Sequence, residues 1–300
     1  MNRLKIRVFS IICTFLFIQH TFGQLADLAR VEYSFIPKSK SEDRYTRLRL
    51  LLNYPIETKK DCYVVVGAEY NSIFLNLEDD YPFEVNNLDL VHVIDLNLGY
   101  TFKSKNNWRV GLNFNPRIAS TLTSIITKDD FFLNGGVFFI KDEKWNTNLK
   151  RPYSLILGLT YNATTGIPFP LPFISYSRDI NEKWGFSLGV PKSNLKYLLN
   201  QKSSLQVFGS LDGYFANIQE RFVVDNTDVS RVSLSVLVGG LGYDFKFTKH
   251  LVWYLYSGYT FRLNNVLRDE NRNEVFKLDD LNAFYLRTGL KYKYAEIINY

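Results

Sequence analysis

The chain is poor in the residues that build metal centres and disulfide scaffolds. Its 300 residues include two cysteines, Cys13 and Cys62, three histidines and one methionine. Two cysteines exclude a disulfide scaffold and a cysteine-based zinc site, and three histidines leave few ligands for a metal enzyme. Phosphate-binding glycine loops and nucleotide motifs are also absent, so the sequence predicts no cofactor.

Long hydrophobic runs are missing as well. The apolar run from Val8 to Ile18 is too short to cross a bilayer as a helix. Three basic residues precede it and small residues lie just before Gln24, which is the form of a cleaved export signal. We therefore expect a signal peptide at 1–23 and one mature domain at 24–300, with a single-pass anchor as the alternative.

Positive charge is also too sparse to indicate a nucleic-acid partner. The formal net charge is +6, and half of this excess belongs to the basic residues of the predicted leader. The remaining excess is scattered along the chain and forms no basic cluster. Because nucleic-acid binding requires such a patch, we predict no nucleic-acid partner.

Aromatic residues are abundant instead. The chain has 24 Phe, 20 Tyr and 4 Trp, a composition that favours β-strands. From Leu88 to Lys103 the even positions are mostly apolar and the odd positions mostly polar, which is the two-residue period of a strand. The same alternation recurs at 46–54, 108–118, 153–162, 251–263 and 284–294, and the apolar faces hold no Asp, Glu, Lys or Arg.

Two folds share this alternation. A soluble β-sandwich packs its apolar faces inside, whereas a membrane β-barrel turns them towards lipid. Long strands, aromatic residues at the ends of the apolar faces, and the export signal favour the barrel. We therefore predict an all-β fold, a transmembrane antiparallel up-and-down β-barrel of about 12–14 strands. A secreted soluble β-sandwich is the alternative.

The connections predict the two ends of the barrel. In outer-membrane barrels short turns face the periplasm and long loops face outwards. Short connections are expected at 104–107, 178–183, 200–203 and 248–249, and longer ones near 77–87, 121–130, 219–229 and 264–281. The segment 184–200 forms either two short strands that turn at Pro191 or one bent strand, which sets the strand number.

One strand changes phase. Its apolar residues are even from Val232 to Val238 and odd from Leu241 to Phe247. The change falls at Gly239-Gly240, where one extra residue in a β-bulge would restore the facing. The sequence therefore predicts a bulge at these two glycines.

Residues Trp184 to Tyr197, with Gly189-Val190-Pro191 at their centre, carry a family likeness. The chain resembles a family of Gram-negative outer-membrane β-barrels known only as a domain of unknown function. The resemblance implies a barrel in the cell outer membrane, in contact with outer-membrane lipids and inserted by the barrel-assembly machinery. It implies no catalytic or binding residues and leaves the oligomeric state open.

Charged residues of inward parity are the candidate functional residues. In an open barrel they would line a narrow passage that favours anions, because cations outnumber anions among the inward positions. In a packed interior they would pair with one another and conduct nothing. The predicted lumen-lining residues are Arg47, Arg49, Glu69, Asp95, Arg109, Arg117, Asp212, Asp244, Arg262 and Arg287.

A second candidate lies on the lipid side. Ser72 and His92 share the lipid-side parity on consecutive strands, and such a pair suits a phospholipase or lipid A esterase in which histidine takes the serine proton. No convincing third residue accompanies them, because Asp89 has inward parity. We therefore predict a non-enzymatic, porin-like barrel, either a passive solute channel or a structural element, with a lipid-facing esterase as the alternative.

Overall fold

The chain folds almost entirely into β-strands. The computed structural model describes residues 27–143, 146, 149–150, 152–162, 166, 168–279 and 281–293, so the predicted signal peptide lies outside the described residues. Within those ranges no helix has the length and apolar character to span a membrane. The strands are β1 (Ala29–Ile36), β2 (Arg44–Lys59), β3 (Cys62–Asn76), β4 (Leu90–Lys103), β5 (Trp108–Ser120), β6 (Phe131–Asp142), β7 (Tyr153–Asn162), β8 (Phe169–Asp179), β9 (Trp184–Val190), β10 (Lys192–Leu198), β11 (Ser203–Val224), β12 (Thr227–Lys246), β13 (Leu251–Arg268), β14 (Glu274–Lys277) and β15 (Phe284–Tyr292).

The strands close into a barrel. Each strand from β1 to β13 pairs antiparallel with the next, and β15 joins β13 to β1. The short strand β14 pairs only with β13 and lies outside this ring. The wall therefore has fourteen strands, the upper value of the prediction, because 184–200 forms two short strands, β9 and β10, on either side of Pro191.

The outer surface of the barrel is apolar. Along β7, Leu157, Leu159 and Tyr161 point outwards and are 38%, 55% and 39% exposed. The alternate residues Ser154 and Thr160 face the interior and are buried. A sandwich would bury its apolar faces between two sheets. The exposed apolar face on a closed ring therefore excludes the secreted β-sandwich and confirms the barrel.

The two ends of the barrel differ in their connections. At one end, here called the turn end, lie short turns and the longer connection 143–152. Asp61 and Asn106 adopt the positive φ of tight turns there, 64° and 55°. At the other, the loop end, lie the connections 37–43, 77–89, 121–130 and 269–283. The predicted loop at 219–229 is wrong. Strands β11 and β12 continue to a two-residue turn at Asp225 and Asn226, whose φ of 47° and 61° suits a type I′ hairpin.

The predicted bulge at Gly239-Gly240 is also wrong. The register of β12 against β11 and β13 is continuous at these glycines. Val232 and Val238 are fully buried inside the barrel, whereas Leu241 is outward and 64% exposed. Gly240 serves close packing instead, since a Cβ there would lie 2.1 Å from a β13 carbonyl oxygen. The apolar residues change from even to odd positions because those at 232–238 face the interior of the barrel, whereas Leu241 faces outwards.

An apolar plug fills the interior at the loop end. The loops 77–89 and 269–283 pack against the inner faces of β11, β12 and β13. Phe83 stacks on Phe222 with ring centroids 5.0 Å apart and meets Phe276 edge-on at 5.1 Å. The plug comprises Ile73, Leu75, Leu88, Ile218, Val224, Val229, Leu234, Leu267 and Leu278, with Tyr81, Phe83, Phe222 and Phe276 packed against them. A cavity of about 20 Å³ lies beside it, which holds about one water molecule.

Strand β11 leaves the wall and crosses the barrel mouth. Its pairing with β10 ends at Ser210, and farther along Asn217 pairs parallel with Ser120 of β5. Five wall strands, β6 to β10, separate β5 from β11 along the chain. The crossing therefore divides the loop end into a plugged part under β1–β5 and β11–β15 and a remaining part under β6–β10.

Asp130 fastens this crossing. The carboxylate is fully buried and accepts hydrogen bonds from the Asn217 amide at 2.6 Å and the Gln219 amide at 2.9 Å. The backbone N–H of Thr127 donates a third bond at 2.7 Å. Burial alone would raise the pKa of Asp130, but these bonds outweigh it and hold the pKa below its ordinary value.

Candidate functional site in the barrel lumen

Asp212 binds two arginines at the centre of the lumen. Its two carboxylate oxygens lie 3.0 Å from Arg47 Nη1 and 2.7 Å from Arg287 Nη2. Asp212 belongs to β11, Arg47 to β2 and Arg287 to β15, and neither arginine strand is a neighbour of β11 in the wall. The three side chains therefore span the lumen.

Glu32 of β1 extends this cluster. It accepts a hydrogen bond from the Tyr254 hydroxyl at 2.6 Å and lies 3.7 Å from Arg287 Nε. Sequence patterning missed Glu32, because β1 has only eight residues and was not recognised as a strand. The alternation of Val31, Tyr33 and Phe35 with polar residues is the sequence pattern that could have identified β1 as a strand.

Two further pairs join neighbouring strands. Arg49 Nη2 lies 2.7 Å from Glu69 Oε2. Arg117 binds both oxygens of Asp95, at 2.7 Å and 3.0 Å, in the fork geometry that gives arginine its strongest contacts with carboxylates. Arg47, Arg49, Arg117 and Arg287 thus each have a carboxylate partner at bonding distance.

Asp244 forms a separate cluster closer to the turn end. Lys196 Nζ and Lys291 Nζ each lie 3.8 Å from its carboxylate. The Tyr256 hydroxyl donates to it at 3.2 Å and itself accepts from the Gln206 amide at 2.8 Å. These contacts join β10, β11, β12, β13 and β15, so they also link strands that are not neighbours.

The last two predicted lumen residues lie near the ends. Arg109 donates to the backbone oxygen of Asp61 at 3.0 Å and its guanidinium lies 5.5 Å from the Tyr63 ring centroid. Arg262 lies at the loop end and pairs with Asp279 at 2.8 Å. All ten predicted residues therefore have polar partners, but the structure distributes them over several levels.

Glycines make room for the lumen tyrosines. A Cβ on Gly242 would lie 2.7 Å from the Tyr256 ring, and a Cβ on Gly289 would lie 2.6 Å from the Tyr254 hydroxyl. Each ring lies across the backbone at its glycine and reaches its carboxylate partner. The glycine positions thus allow the aromatic rings to fill the lumen.

The charged residues of the central lumen form partly buried ion pairs. The contacts of Asp212 and Asp244 link strands that are not neighbours in the wall and so fix these strands relative to one another. Among the described residues, no group of three or more His, Cys, Asp or Glu could hold a metal ion. In the centre of the lumen the paired arginines and carboxylates offset each other's charge.

The lipid-side pair is placed as its parity predicts, but without a catalytic contact. Ser72 and His92 face each other across β3 and β4. The Nδ1 atom of His92 lies 2.8 Å from the Tyr70 hydroxyl, and the two rings stack. Tyr70 was not part of the predicted pair, and no hydrogen bond joins Ser72 to His92 in the described residues.

A closed fourteen-stranded antiparallel barrel with an apolar outer face has the architecture of an outer-membrane β-barrel. The chain belongs to the family described as Domain of unknown function (DUF6268), whose sequence profile matches residues 27–293. This confirms the resemblance seen at 184–197. No curated protein matches the chain in sequence.

The chain is also similar to solved structures at low sequence identity. LpxR from Salmonella typhimurium has 8% identity and a TM-score of 0.39, with 89% of this chain and 99% of that chain covered. The KdgM porin in complex with disordered oligogalacturonate has 8% identity and a TM-score of 0.37, with coverages of 88% and 99%. The translocator domain of autotransporter NalP from Neisseria meningitidis has 12% identity and a TM-score of 0.35, with coverages of 97% and 95%.

Proposed function

We propose that the protein resides in the outer membrane as a structural barrel whose lumen is closed to ions and water-soluble solutes. The observation that carries this proposal is the contact of Asp212 with Arg47 and Arg287 across the lumen. Outer-membrane lipids surround the apolar face, and the barrel-assembly machinery inserts the chain.

Size alone does not decide between a channel and a closed barrel. Barrels of about 8 strands are filled by side chains and those of about 16–18 leave an aqueous channel. A wall of fourteen strands lies between these cases, so the contents of the lumen decide. Here cross-lumen ion pairs occupy the centre, and the plug with Leu88 and Phe83 fills the loop end under β1–β5 and β11–β15.

Solute entry into proteoliposomes tests this proposal. Liposomes containing the refolded protein are diluted into isotonic solutions of a small sugar, an amino acid or an organic anion, and swelling is followed by light scattering. We expect the wild-type rate to equal that of protein-free liposomes. A wild-type rate several-fold above that baseline would overturn the closed-lumen proposal, and a selective response to the organic anion would favour the anion channel.

We further propose that the protein is not a lipid hydrolase. A serine nucleophile needs a histidine within hydrogen-bond reach and a group that orients the histidine. In this barrel the Nδ1 atom of His92 contacts Tyr70. Treatment with a serine-directed phosphonate should leave Ser72 unmodified, and stoichiometric labelling of Ser72 would overturn this assignment.

A further inference from the structure

The barrel wall is too short at β9 and β10 to cover a bilayer. Each strand has seven residues. At about 3.4 Å per residue and a tilt of about 45°, seven residues rise about 17 Å, against an apolar band of about 25 Å. The hairpin turns at Pro191, so the wall ends there below the height of its neighbours.

The hairpin leaves the edge of β8 unpaired, and beyond the hairpin β11 turns away from the wall into the barrel mouth. On one side, the pairing of β8 with β9 stops at Ile174, and residues 169–173 have no partner on that side. On the other side, the last contact of β11 with the hairpin is the bond from Leu211 N to Pro191 O, at 2.8 Å. We call the gap between β8 and β11 the lateral window. At its base, beside Pro191, three strand spacings of about 4.8 Å separate β8 from β11 by about 14 Å.

The sequence of β8 is adapted to a free edge. Its unpaired segment contains Pro170 and Pro172. Proline has no backbone N–H, so these positions leave no unsatisfied donor at an edge that faces hydrocarbon. An unpaired donor would cost several kcal/mol there, since the bilayer core offers no hydrogen-bond partner.

The window lies within the apolar belt. On the adjacent strands, Leu159 and Leu133 point outwards and are 55% and 65% exposed. Phe169, although it lies on the inner face opposite Asn162, is 41% exposed. Apolar surface therefore continues from the outside of the wall, around the free edge of β8, to the inside.

Behind the window the lumen has a different character from its centre. The inner faces of β6, β7 and β8 carry no charged residue from Phe132 to Ile140, from Ser154 to Asn162 or from Phe169 to Ser177. We call this surface the apolar bay. Its large side chains are Phe132, Phe138, Ile140, Ile156, Leu171 and Phe173, and all are only partly buried. The crossing of β11 separates the bay from the plug, with Phe215 against Phe132 at 5.6 Å.

One polar group stands in the bay without a partner. Asn134 lies on the inner face of β6, opposite Asn115, and is 6% exposed. Neither polar atom of its amide has a hydrogen-bond partner in the described residues. Both polar atoms are shielded from contact, so the amide marks the outer end of the apolar surface but is not itself open to a ligand.

We propose that the lateral window admits the acyl chain of a bilayer lipid into the apolar bay. This inference rests on the proposed outer-membrane location, and it gives the closed barrel a lipid-binding or lipid-passing role. The bilayer beside the window supplies acyl chains at the height of Phe173, and the uncharged walls favour hydrocarbon over water.

Photo-crosslinking from phenylalanine positions tests the proposal. Phe173 is replaced by p-benzoylphenylalanine, and the refolded barrel is irradiated in phospholipid bilayers. Phe139, outward and 49% exposed, is the lipid-facing control, and Phe208, an inward residue 5.1 Å from the Tyr256 ring, is the control for the charged lumen. Leu171 provides a second test position in the bay, and heat-modifiable mobility in electrophoresis verifies that each variant is folded.

We expect lipid adducts at Phe173 and Leu171 in a yield that approaches that of Phe139 and exceeds that of Phe208 several-fold. Adducts at Phe139 with only background yield at both bay positions would overturn the lateral window while leaving the proposed location intact. Background yield at Phe139 as well would contradict the outer-membrane location itself.

Discussion

Arg47 of β2 and Asp212 of β11 form an ion pair of 3.0 Å, although their strands are not neighbours in the wall. A contact between such strands crosses the lumen. Between β2 and β11 the interior is therefore no wider than two side chains placed end to end. The same carboxylate binds Arg287, so two cations share one anion, and Glu32 lies 3.7 Å from Arg287 Nε as a second carboxylate.

Substitution of Asp212 should destabilise the barrel strongly. Asp212→Ala leaves Arg47 and Arg287 partly buried without their carboxylate, and loss of one partner of a buried ion pair costs about 3–5 kcal/mol. Urea unfolding in detergent micelles measures the free energy of unfolding.

The matched control is Glu78→Gln, which removes an exposed ion pair with Lys38. Exposed pairs contribute little to stability, so this variant should unfold at the wild-type urea concentration. Equal midpoints for Asp212→Ala and wild type would show that the cross-lumen pair does not hold the structure.

Two glycine substitutions should differ in effect. A Cβ on Gly242 would lie 2.7 Å from the Tyr256 ring and 2.9 Å from Gln206 Cγ, whereas a Cβ on Gly209 would meet nothing within 4 Å. Gly242→Ala should therefore lower the free energy of unfolding by about 1–3 kcal/mol, the usual cost of overpacking. Gly209→Ala should leave it unchanged. A reversed order of the two midpoints would contradict the placement of Tyr256.

Asp130 should make the crossing of β11 sensitive to acid. Its pKa is lower in the folded barrel than in the unfolded chain, so its stabilising effect is present at neutral pH. The effect is lost as the pH falls through the folded value, below the ordinary Asp pKa of about 3.9. The protection factor of the peptide 211–224 against hydrogen exchange, measured by mass spectrometry and corrected for the intrinsic rate at each pH, should stay high down to about pH 4 and fall below it.

Asp130→Asn should accelerate this exchange at neutral pH, since an amide cannot accept all the bonds that Asn217 and Gln219 donate. Its neighbour Asp129 supplies the control. Asp129→Asn removes only an exposed contact with Arg221 of 3.2 Å and should leave the exchange rate unchanged. Identical exchange in Asp130→Asn and wild type would rule out the carboxylate as the fastener.

The aromatic part of the plug should control access to the mouth. Phe83 contacts Phe222, Phe276 and Tyr81, with ring centroids 5.0, 5.1 and 5.4 Å apart. Phe83→Ala loses these contacts, each worth about 0.5–1.5 kcal/mol. A free-energy difference of about 1.4 kcal/mol corresponds to a tenfold change in an equilibrium constant. We therefore expect a cysteine that replaces the buried Leu88, in a Cys62→Ser background, to react with maleimide at least about ten times faster when Phe83 is replaced by alanine.

Phe74→Ala is the control for this measurement, because Phe74 is outward and 42% exposed. It removes an aromatic ring of the same size from the lipid face. Faster labelling in Phe74→Ala than in Phe83→Ala would mean that the loop 77–89 does not seal the mouth.

The outer face of the barrel was predictable from the sequence because lipid contacts every second residue. Leu157, Leu159 and Tyr161 alternate with Ser154 and Thr160 in sequence, and the structure separates them in the same way. The strand count followed from this period. The hairpin at Pro191 was one of two interpretations that the local sequence allowed.

The interior was less predictable because it does not follow one rule. The bulge at Gly239 was inferred by assuming that apolar side chains face lipid, but Val232 and Val238 face the plug. The partner of Arg47 lies 165 residues away and depends on the course of β11. Sequence parity indicates that such residues share a face, but only the tertiary structure determines which of them meet.

Electrical recording in planar lipid bilayers tests the central claim most directly. After insertion of refolded wild-type protein at constant voltage, we expect the current to stay at the baseline of the bare membrane. The same preparation must show the heat-modifiable folded form in electrophoresis. Reproducible, ohmic current steps from the folded wild-type barrel would contradict the closed lumen.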